Sequence, residues 1–314
     1  MINEVKIQQL NKQWGEEYIL NNMPKRDIFK KIKRDLDNKL VSFLTGSRRI
    51  GKSTLMMQSI DYLINTKKIN PKQILFYEFD STYNAKDIHK IYTYFIENIA
   101  NKSENMYIFF DEIQFVNGYE NEVKFIYDLN NTIDKGFITK IFITGSLSLS
   151  YKKRMQESMA GRFINYKIYP LNFKEYLLFK NKLEILNFKL DKVSALNKLK
   201  INEINKHFKD FLKNGAFPQI AVKENVTKEE VSEYIQEIIN QSLSQDAFDY
   251  FDIANPKLLI SLFNNIRQNN GLEISESNLS NVSGADKRTI SKYLDSIAIN
   301  AIGLISFRME TTRL

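Results

Sequence analysis

One stretch of chain, FLTGSRRIGKSTLM at positions 43–56, constrains the fold more than any other part of the sequence. Apolar residues give way to a loop bounded by Gly46 and Gly51, and Lys52 and Ser53 follow directly. This spacing fits G-x-x-x-x-G-K-[ST], in which backbone N–H groups surround nucleotide phosphates, the lysine reaches the β- and γ-phosphates and the hydroxyl binds Mg²⁺. The glycines are needed because the backbone must approach the phosphates closely. The predicted nucleotide-binding residues are Gly46, Ser47, Arg48, Arg49, Ile50, Gly51, Lys52, Ser53 and Thr54.

The residues on either side of this loop predict the strand and the helix that such a loop requires. Residues 39–45 (KLVSFLT) are typical of a buried strand, and residues 53–63 carry apolar side chains at helical spacing. The N-terminus of that helix would point its positive dipole at the bound anion. An ordinary strand-to-helix turn with a basic surface is the alternative interpretation.

A second apolar run, residues 106–110, ends in the adjacent carboxylates Asp111 and Glu112. Ligands gather at the carboxyl ends of parallel strands, so these acids are expected beside the nucleotide. Neighbouring residues of a strand point in opposite directions, which favours two different roles. We assign Asp111 to the Mg²⁺ shell and Glu112 to the water that attacks the γ-phosphate. A solvated turn is the alternative.

Two further strands, at residues 74–79 and 140–144, and helices at 86–100 and 121–133 complete the pattern. Strands that alternate with helices predict an α/β fold, here an open parallel sheet with helices on both faces. Thr144 or Ser146, at the tip of the fourth strand, would hydrogen-bond the γ-phosphate or the attacking water. Either residue alone is equally well explained as a helix cap.

Composition limits the remaining chemistry. The chain has no Cys and only two His, which excludes thiolate and multi-histidine metal sites and favours Mg²⁺ held by oxygen atoms. No apolar run reaches the roughly 20 residues of a membrane span, and the N-terminus lacks the apolar core of a signal peptide, so we expect a cytoplasmic protein without membrane contact. The net charge is +8, and residues 151–213 hold 15 Lys and Arg against 6 Asp and Glu. A polyanionic partner would meet its largest positive charge there.

Taken in order, several segments resemble the prokaryotic AAA-superfamily ATPases that carry a C-terminal DUF4143-type region. The segments are GSRRIGKST (46–54), IFFDEIQ (108–114), IFITGS (141–146), MAGR (159–162), YPLNFKEYL (169–177) and NGAFPQI (214–220). The resemblance implies an ATP-binding AAA-like core, a helical extension and a winged-helix module. It also implies that Arg162 is an arginine finger or γ-phosphate sensor, with a surface arginine as the alternative. Many relatives of this kind continue into another module, so we expect a C-terminally shortened copy.

The C-terminal half is predicted to be helical after Pro170, over residues 173–179, 196–212, 228–243 and 256–267. Residues 275–300 outline a helix-turn-helix, with residues 302–307 as a wing strand. Lys287, Arg288 and Lys292 would lie on its exposed side and contact DNA, with protein packing as the alternative. The expected domains are 1–170 (core with a helical lead-in), 171–253 (helical lid or adaptor) and 254–314 (shortened winged-helix-like domain).

These observations favour a Mg²⁺-dependent ATPase of AAA type that acts as a nucleotide-driven switch on DNA or a protein client. The catalytic residues would be Glu112, Lys52, Arg162 and Ser146, with Ser53 and Asp111 as the metal ligands. A small-molecule P-loop kinase and a non-hydrolysing ATP-binding regulator are the alternatives, and a homo-oligomer stays open.

Overall fold

The structure is a computed structural model. It describes residues 3–15, 18, 20, 23–131, 136–145, 155, 157–186, 195–214, 217–241, 253–269 and 275–308. The chain divides into two compact units, which are described separately: Met1–Gly46 with Gly51–Ile168, and Ser47–Ile50 with Tyr169–Leu314. The finer division into parts 1–170, 171–253 and 254–314 stays a prediction.

A parallel five-stranded sheet forms the centre of the first unit, and its order is β2-β3-β4-β1-β5. The strands are β1 Val41–Thr45, β2 Ile74–Glu78, β3 Met106–Asp111, β4 Thr139–Gly145 and β5 Phe163–Lys167. Every residue of β1, β3 and β4 is buried, as expected of strands covered on both faces. The predicted parallel α/β sheet is confirmed. The fifth strand was not predicted, because its sequence, FINYK, is not a continuous apolar run. In the structure, most residues of this strand are partly or fully exposed.

Among the described residues of the first unit, the helices that accompany this sheet include α1 Glu4–Leu10, α2 Asp27–Arg34, α3 Lys52–Asp61, α4 Ala85–Asn98 and α5 Tyr119–Asn131. Helix α3 follows β1 and continues into a π-helical turn at Tyr62–Thr66. Helix α4 begins at a capping box formed by Asn84 and Asp87, which satisfies N–H groups that the first helical turn leaves unpaired. Both predicted helices between the strands, at 86–100 and 121–133, are present within two residues of their expected bounds.

The N-terminal residues cover the open edge of the sheet at β2. The carboxamide of Asn11 accepts a hydrogen bond from Phe76 N at 2.7 Å and donates one to Phe76 O at 2.8 Å. Trp14 Nε1 also donates to Ile74 O at 2.8 Å. An uncovered edge strand presents unpaired backbone groups to other chains, so these side chains take the place of a sixth strand.

The second unit is helical in its described residues, which hold no strand. Its helices are α6 Phe173–Phe179, α7 Ala195–Asn214, α8 Pro218–Ala221, α9 Lys228–Gln241, α10 Pro256–Gln268, α11 Glu276–Ser283 and α12 Lys287–Arg308. Part of its core is an apolar cluster of Leu171, Tyr176, Leu177, Ile185, Phe211 and Ala221. The predicted helical C-terminal half is confirmed.

The predicted wing strand at residues 302–307 is wrong, since these residues continue α12. A short apolar run reads equally as strand or helix, and here nothing interrupts the helix that begins at Lys287. The helix-turn-helix outline itself is present: Gly284 ends α11 in the left-handed conformation at φ 69°, and α12 follows. The winged-helix assignment is therefore not confirmed.

Candidate nucleotide site

The glycine-rich loop connects β1 to α3 at the carboxyl edge of the sheet. Gly51 has φ 93°, in the left-handed region that favours glycine, and α3 begins at the next residue. Lys52 is only 4% exposed, and its Nζ donates to Gly46 O at 3.1 Å. The amine therefore lies across the mouth of the loop, at the positive end of α3. A phosphate bound there would meet both the ammonium group and the helix N-terminus.

Asp111, the last residue of β3, is 2% exposed and accepts hydrogen bonds from two hydroxyl groups. One donor is Thr144 Oγ1 on β4, and the other is Ser53 on α3. Burial raises the pKa of this carboxyl group, against the lowering effect of the two hydroxyls. A divalent cation would supply the opposing charge, and hydroxyl and carboxylate oxygens are ligands that Mg²⁺ prefers. The residues present thus fit a magnesium ion held by Ser53 and Asp111.

Glu112 follows in a constrained turn. Its φ of 52° is in the left-handed region, which non-glycine residues rarely adopt and which is found at functional sites more often than elsewhere. Its backbone N–H contacts Thr144 Oγ1 at 2.9 Å and Asp111 Oδ1 at 3.1 Å. Thr144, fully buried, thereby joins the two acids through one hydroxyl group. This tertiary contact holds the backbone between Asp111 and Glu112.

Gln114 belongs to this candidate site through its contact with Glu112, and it was not predicted from the sequence. It is 4% exposed, and its Nε2 donates to Glu112 Oε2. Its Oε1 lies close to Gly145, where an added Cβ would come within 3.3 Å of it and 3.1 Å of Phe43 Cε2. Gly145 therefore leaves the space that the carboxamide of Gln114 occupies. The glutamine in IFFDEIQ was visible in the sequence, but nothing in its spacing indicated which side chain it contacts.

Glu78 is a third carboxylate at this edge, and it was also missed. It ends β2 and pairs in register with Asp111. Its pKa is raised by partial burial, then by the negative charges of Asp111 and Glu112. The signal was available, because the predicted strand ILFYEF places an acid at the same sheet edge as the Asp111–Glu112 pair.

The two remaining predicted catalytic residues are Ser146 and Arg162. Ser146 lies outside the described residues. Arg162 precedes β5, where its carbonyl accepts a hydrogen bond from Val41 N at 2.9 Å, so it lies at the amino edge of the sheet. Its Nε donates to Asp128 Oδ1 of α5 at 3.1 Å. Its catalytic role stays a prediction, as does the DNA contact of Lys287, Arg288 and Lys292, which are exposed at the start of α12.

Comparison with protein families places two matches on the chain. Residues 38–177 match the family model described as an AAA domain, and residues 205–304 match a domain of unknown function, DUF8612. Residues 38–177 are thus similar to AAA-type domains. The expected DUF4143-type region is not confirmed, since the C-terminal match is to DUF8612. Together with the parallel sheet, the AAA match supports a P-loop NTPase.

Similar curated proteins include an uncharacterized protein of Haemophilus influenzae, 30% identical, with 82% of this chain and 60% of the relative covered. Another is the uncharacterized protein MJ1544 of Methanocaldococcus jannaschii, 34% identical, with 80% of this chain and 54% of the relative covered. The chain thus spans less than two thirds of the length of these relatives.

Similar solved structures include the Aeropyrum pernix ORC1 protein in complex with DNA, at 11% identity and TM-score 0.42, covering 93% of this chain and 87% of that one. A mutant of Thermotoga maritima RuvB matches at 17% identity and TM-score 0.40, covering 87% of each chain. Among the described residues no helix combines the length and apolar character needed to cross a membrane.

Proposed function

We propose that this chain is a Mg²⁺-dependent ATPase of AAA type, whose nucleotide state acts as a switch on DNA or a protein client. The observation that carries the proposal is the hydrogen-bond chain from Ser53 through Asp111 to Thr144. It joins the helix after the phosphate loop to two neighbouring strands of the sheet. A site for Mg²⁺ and a triphosphate needs this combination of a cationic loop and a fixed carboxylate.

The residues of the site divide the reaction between them. Lys52 would neutralise charge on the β- and γ-phosphates, while Ser53 and Asp111 would hold Mg²⁺, which withdraws charge from the same phosphates. Glu112 would orient a water molecule and accept its proton as the water oxygen bonds to the γ-phosphorus. The bond from that phosphorus to the bridging oxygen then breaks, and ADP and phosphate are the products.

The deciding experiment measures phosphate release from ATP, with Mg²⁺ and with excess EDTA, for the wild type and Lys52→Ala. We expect Mg²⁺-dependent release that Lys52→Ala lowers by at least about 100-fold, because a positioned donor to the reacting phosphate is lost. Lys72→Ala is the matched control, since Lys72 is exposed and precedes β2 at the opposite edge of the sheet. Tight ATP binding without release would favour the non-hydrolysing regulator, and release only with an added acceptor molecule would favour the kinase.

DNA is proposed as a partner on one observation in the second unit. Lys287, Arg288 and Lys292 are exposed at the start of α12, directly after the turn at Gly284. A second helix that presents cations at its N-terminal end matches the placement of a recognition helix. Arg288→Ala should weaken binding to duplex DNA at low salt more than Lys257→Ala, an exposed lysine on α10. No binding by the wild type at low salt would leave the protein client as the partner.

A further inference from the structure

The second arginine of the phosphate loop has contacts that nucleotide binding does not explain. Arg49 belongs to the short segment Ser47–Ile50 that groups with the second unit. Its two terminal nitrogens donate to the two carboxylate oxygens of Glu237 on α9, at 2.8 and 2.6 Å. Its guanidinium also lies 5.0 Å from the centre of the Tyr234 ring, one turn earlier on the same helix. A two-pronged ion pair combined with ring stacking is a geometry that arginine fits and lysine does not.

Tyr234 and Glu237 are themselves held in place. The Tyr234 hydroxyl donates to Gln219 Oε1 at 3.2 Å, and its ring meets the edge of Phe217 at 5.7 Å. Gln241 Nε2 donates to Glu237 Oε1 at 3.3 Å from the next turn of α9. Phe217 and Gln219 belong to NGAFPQI, a segment to which the proposed reaction assigns no role. The segment therefore supports the tyrosine on which Arg49 stacks.

The backbone conformation of Arg49 indicates what these contacts do. Its φ is 61°, in the left-handed region, where a non-glycine residue is strained by about 1 kcal/mol or more. The loop between Gly46 and Gly51 must present its N–H groups to the phosphates, so the conformation of Arg49 affects the shape of the binding surface. The electrostatics agree with a formed pair, because Glu237 raises the pKa of Arg49 and Arg49 lowers the pKa of Glu237.

We propose that Glu237 and Tyr234 form a receptor for Arg49 that positions the phosphate loop for nucleoside triphosphate binding. The expected effect on nucleotide affinity rests on the proposed function, whereas the positioning of Arg49 by Glu237 and Tyr234 does not. Glu237 and Tyr234 are positioning residues, since they act on the nucleotide only through Arg49. Loss of the receptor contacts to Arg49 would therefore lower nucleotide affinity.

The test is a double-mutant cycle between Glu237→Gln and Arg49→Gly, read by titration with a fluorescent ATP analogue. Glu237→Gln should weaken binding about three- to tenfold, the scale of a partly exposed ion pair that preorganises a loop. In the Arg49→Gly background the same change should have no effect, because glycine adopts the left-handed conformation unaided and offers no guanidinium. Glu233→Gln, an exposed glutamate one turn earlier on α9, is the matched control and should leave the affinity unchanged.

Hydrogen exchange separates failure of this inference from failure of the proposed function. Without nucleotide, the amides between Gly46 and Gly51 should exchange faster in Glu237→Gln than in the wild type or in Glu233→Gln. A wild type that binds no nucleotide would end the proposed function, while the exchange result still decides the positioning. If the loop amides of Glu237→Gln exchange at the wild-type rate, Glu237 and Tyr234 do not position the loop. Tighter binding of the analogue in that variant would also overturn the proposal, because Glu237 would then compete with phosphate for Arg49.

Discussion

Arg162 lies at the amino ends of the strands of the parallel sheet, whereas Lys52 lies beyond their carboxyl ends. Lys52 follows β1 at its carboxyl end, whereas the carbonyl of Arg162 is bonded to Val41 N at the amino end of that strand. Four residue steps of strand separate the two edges by about 13 Å, before the loop is counted. If Arg162 contacts a γ-phosphate, this distance favours the site of a second copy over that of its own chain, and a surface arginine is the alternative.

Arg162→Ala should therefore lower kcat for ATP hydrolysis by about 100-fold or more with little change in analogue binding, because its charge acts on the transition state of a neighbouring site. Mixing inactive Arg162→Ala with inactive Glu112→Gln should restore activity, since mixed assemblies contain sites with both residues. Asp128→Asn is the control, because it removes the ion pair and keeps the arginine. If Asp128→Asn is equally inactive and no mixture is rescued, the role of Arg162 is structural.

Glu112→Gln should still bind Mg²⁺–ATP and lose about 10²- to 10⁴-fold in kcat, because the amide cannot accept a proton from water. Asp111→Asn should instead raise the Mg²⁺ concentration needed for binding, since its oxygen atoms are the proposed metal ligand beside Ser53. Analogue titrations over a range of Mg²⁺ concentrations, with parallel phosphate-release assays, distinguish the two. A trapped ATP state in Asp111→Asn rather than in Glu112→Gln would mean that the roles are reversed.

Gln114→Leu should lower kcat roughly 10- to 100-fold while KM changes little, because Glu112 loses the donor that orients its carboxylate. Leucine fills a similar volume in this buried place, so the melting temperature should change little. Gly145→Ala should produce a similar loss, since the added methyl group would displace the Gln114 carboxamide. A full kcat in Gln114→Leu would show that Glu112 does not depend on this contact.

Lys140 predicts a pH dependence of stability. Its side chain is fully buried in β4, where it donates to Asn38 Oδ1 at 2.8 Å and to Leu40 O. Burial lowers its pKa to about 7, against the raising effect of Asp35 and Asp37. Between that value and the ordinary lysine pKa the unfolded chain binds the extra proton, so stability rises with pH. From pH 7.5 to 9 the unfolding constant measured in urea should fall by up to about tenfold per pH unit. Lys140→Met should remove this slope, and an equal slope in that variant would refute the assignment.

Asn11→Leu should destabilise the first unit by about 2–4 kcal/mol, because it removes the side chain that pairs with the backbone of Phe76 and leaves buried polar groups unsatisfied. Chemical unfolding gives the free energy, and light scattering should show more self-association through the uncovered edge. Asn98→Leu is the control, since the exposed Asn98 bonds a carbonyl of its own helix. If both variants lose the same free energy of unfolding, the contacts of Asn11 with Phe76 do not specifically stabilise the β2 edge.

The sequence by itself determined the local elements. The glycine spacing, the apolar run before it and the helical pattern after it lie within about two dozen residues, so strand, loop and helix were predictable without any knowledge of distant contacts. The same holds for the acids that end β3 and for the main helices of the second unit. Residues 302–307 show the limit of this reasoning, because a short apolar run carries no information that separates a strand from the end of a long helix.

Only the tertiary structure decided which distant residues meet. Strand order places β4 beside β3, and this brings Thr144 to Asp111 across 33 positions. It also places Glu78 beside the same carboxylate and Arg162 at the opposite edge from the loop. The ion pair of Arg49 with Glu237 spans 188 positions. Such contacts depend on how whole helices and strands pack. The residue pattern of one segment does not indicate which distant segment it contacts or at which residue. The phosphate loop and the Asp111–Glu112 pair were therefore visible in the sequence, while their contacts with distant residues were decided by the fold.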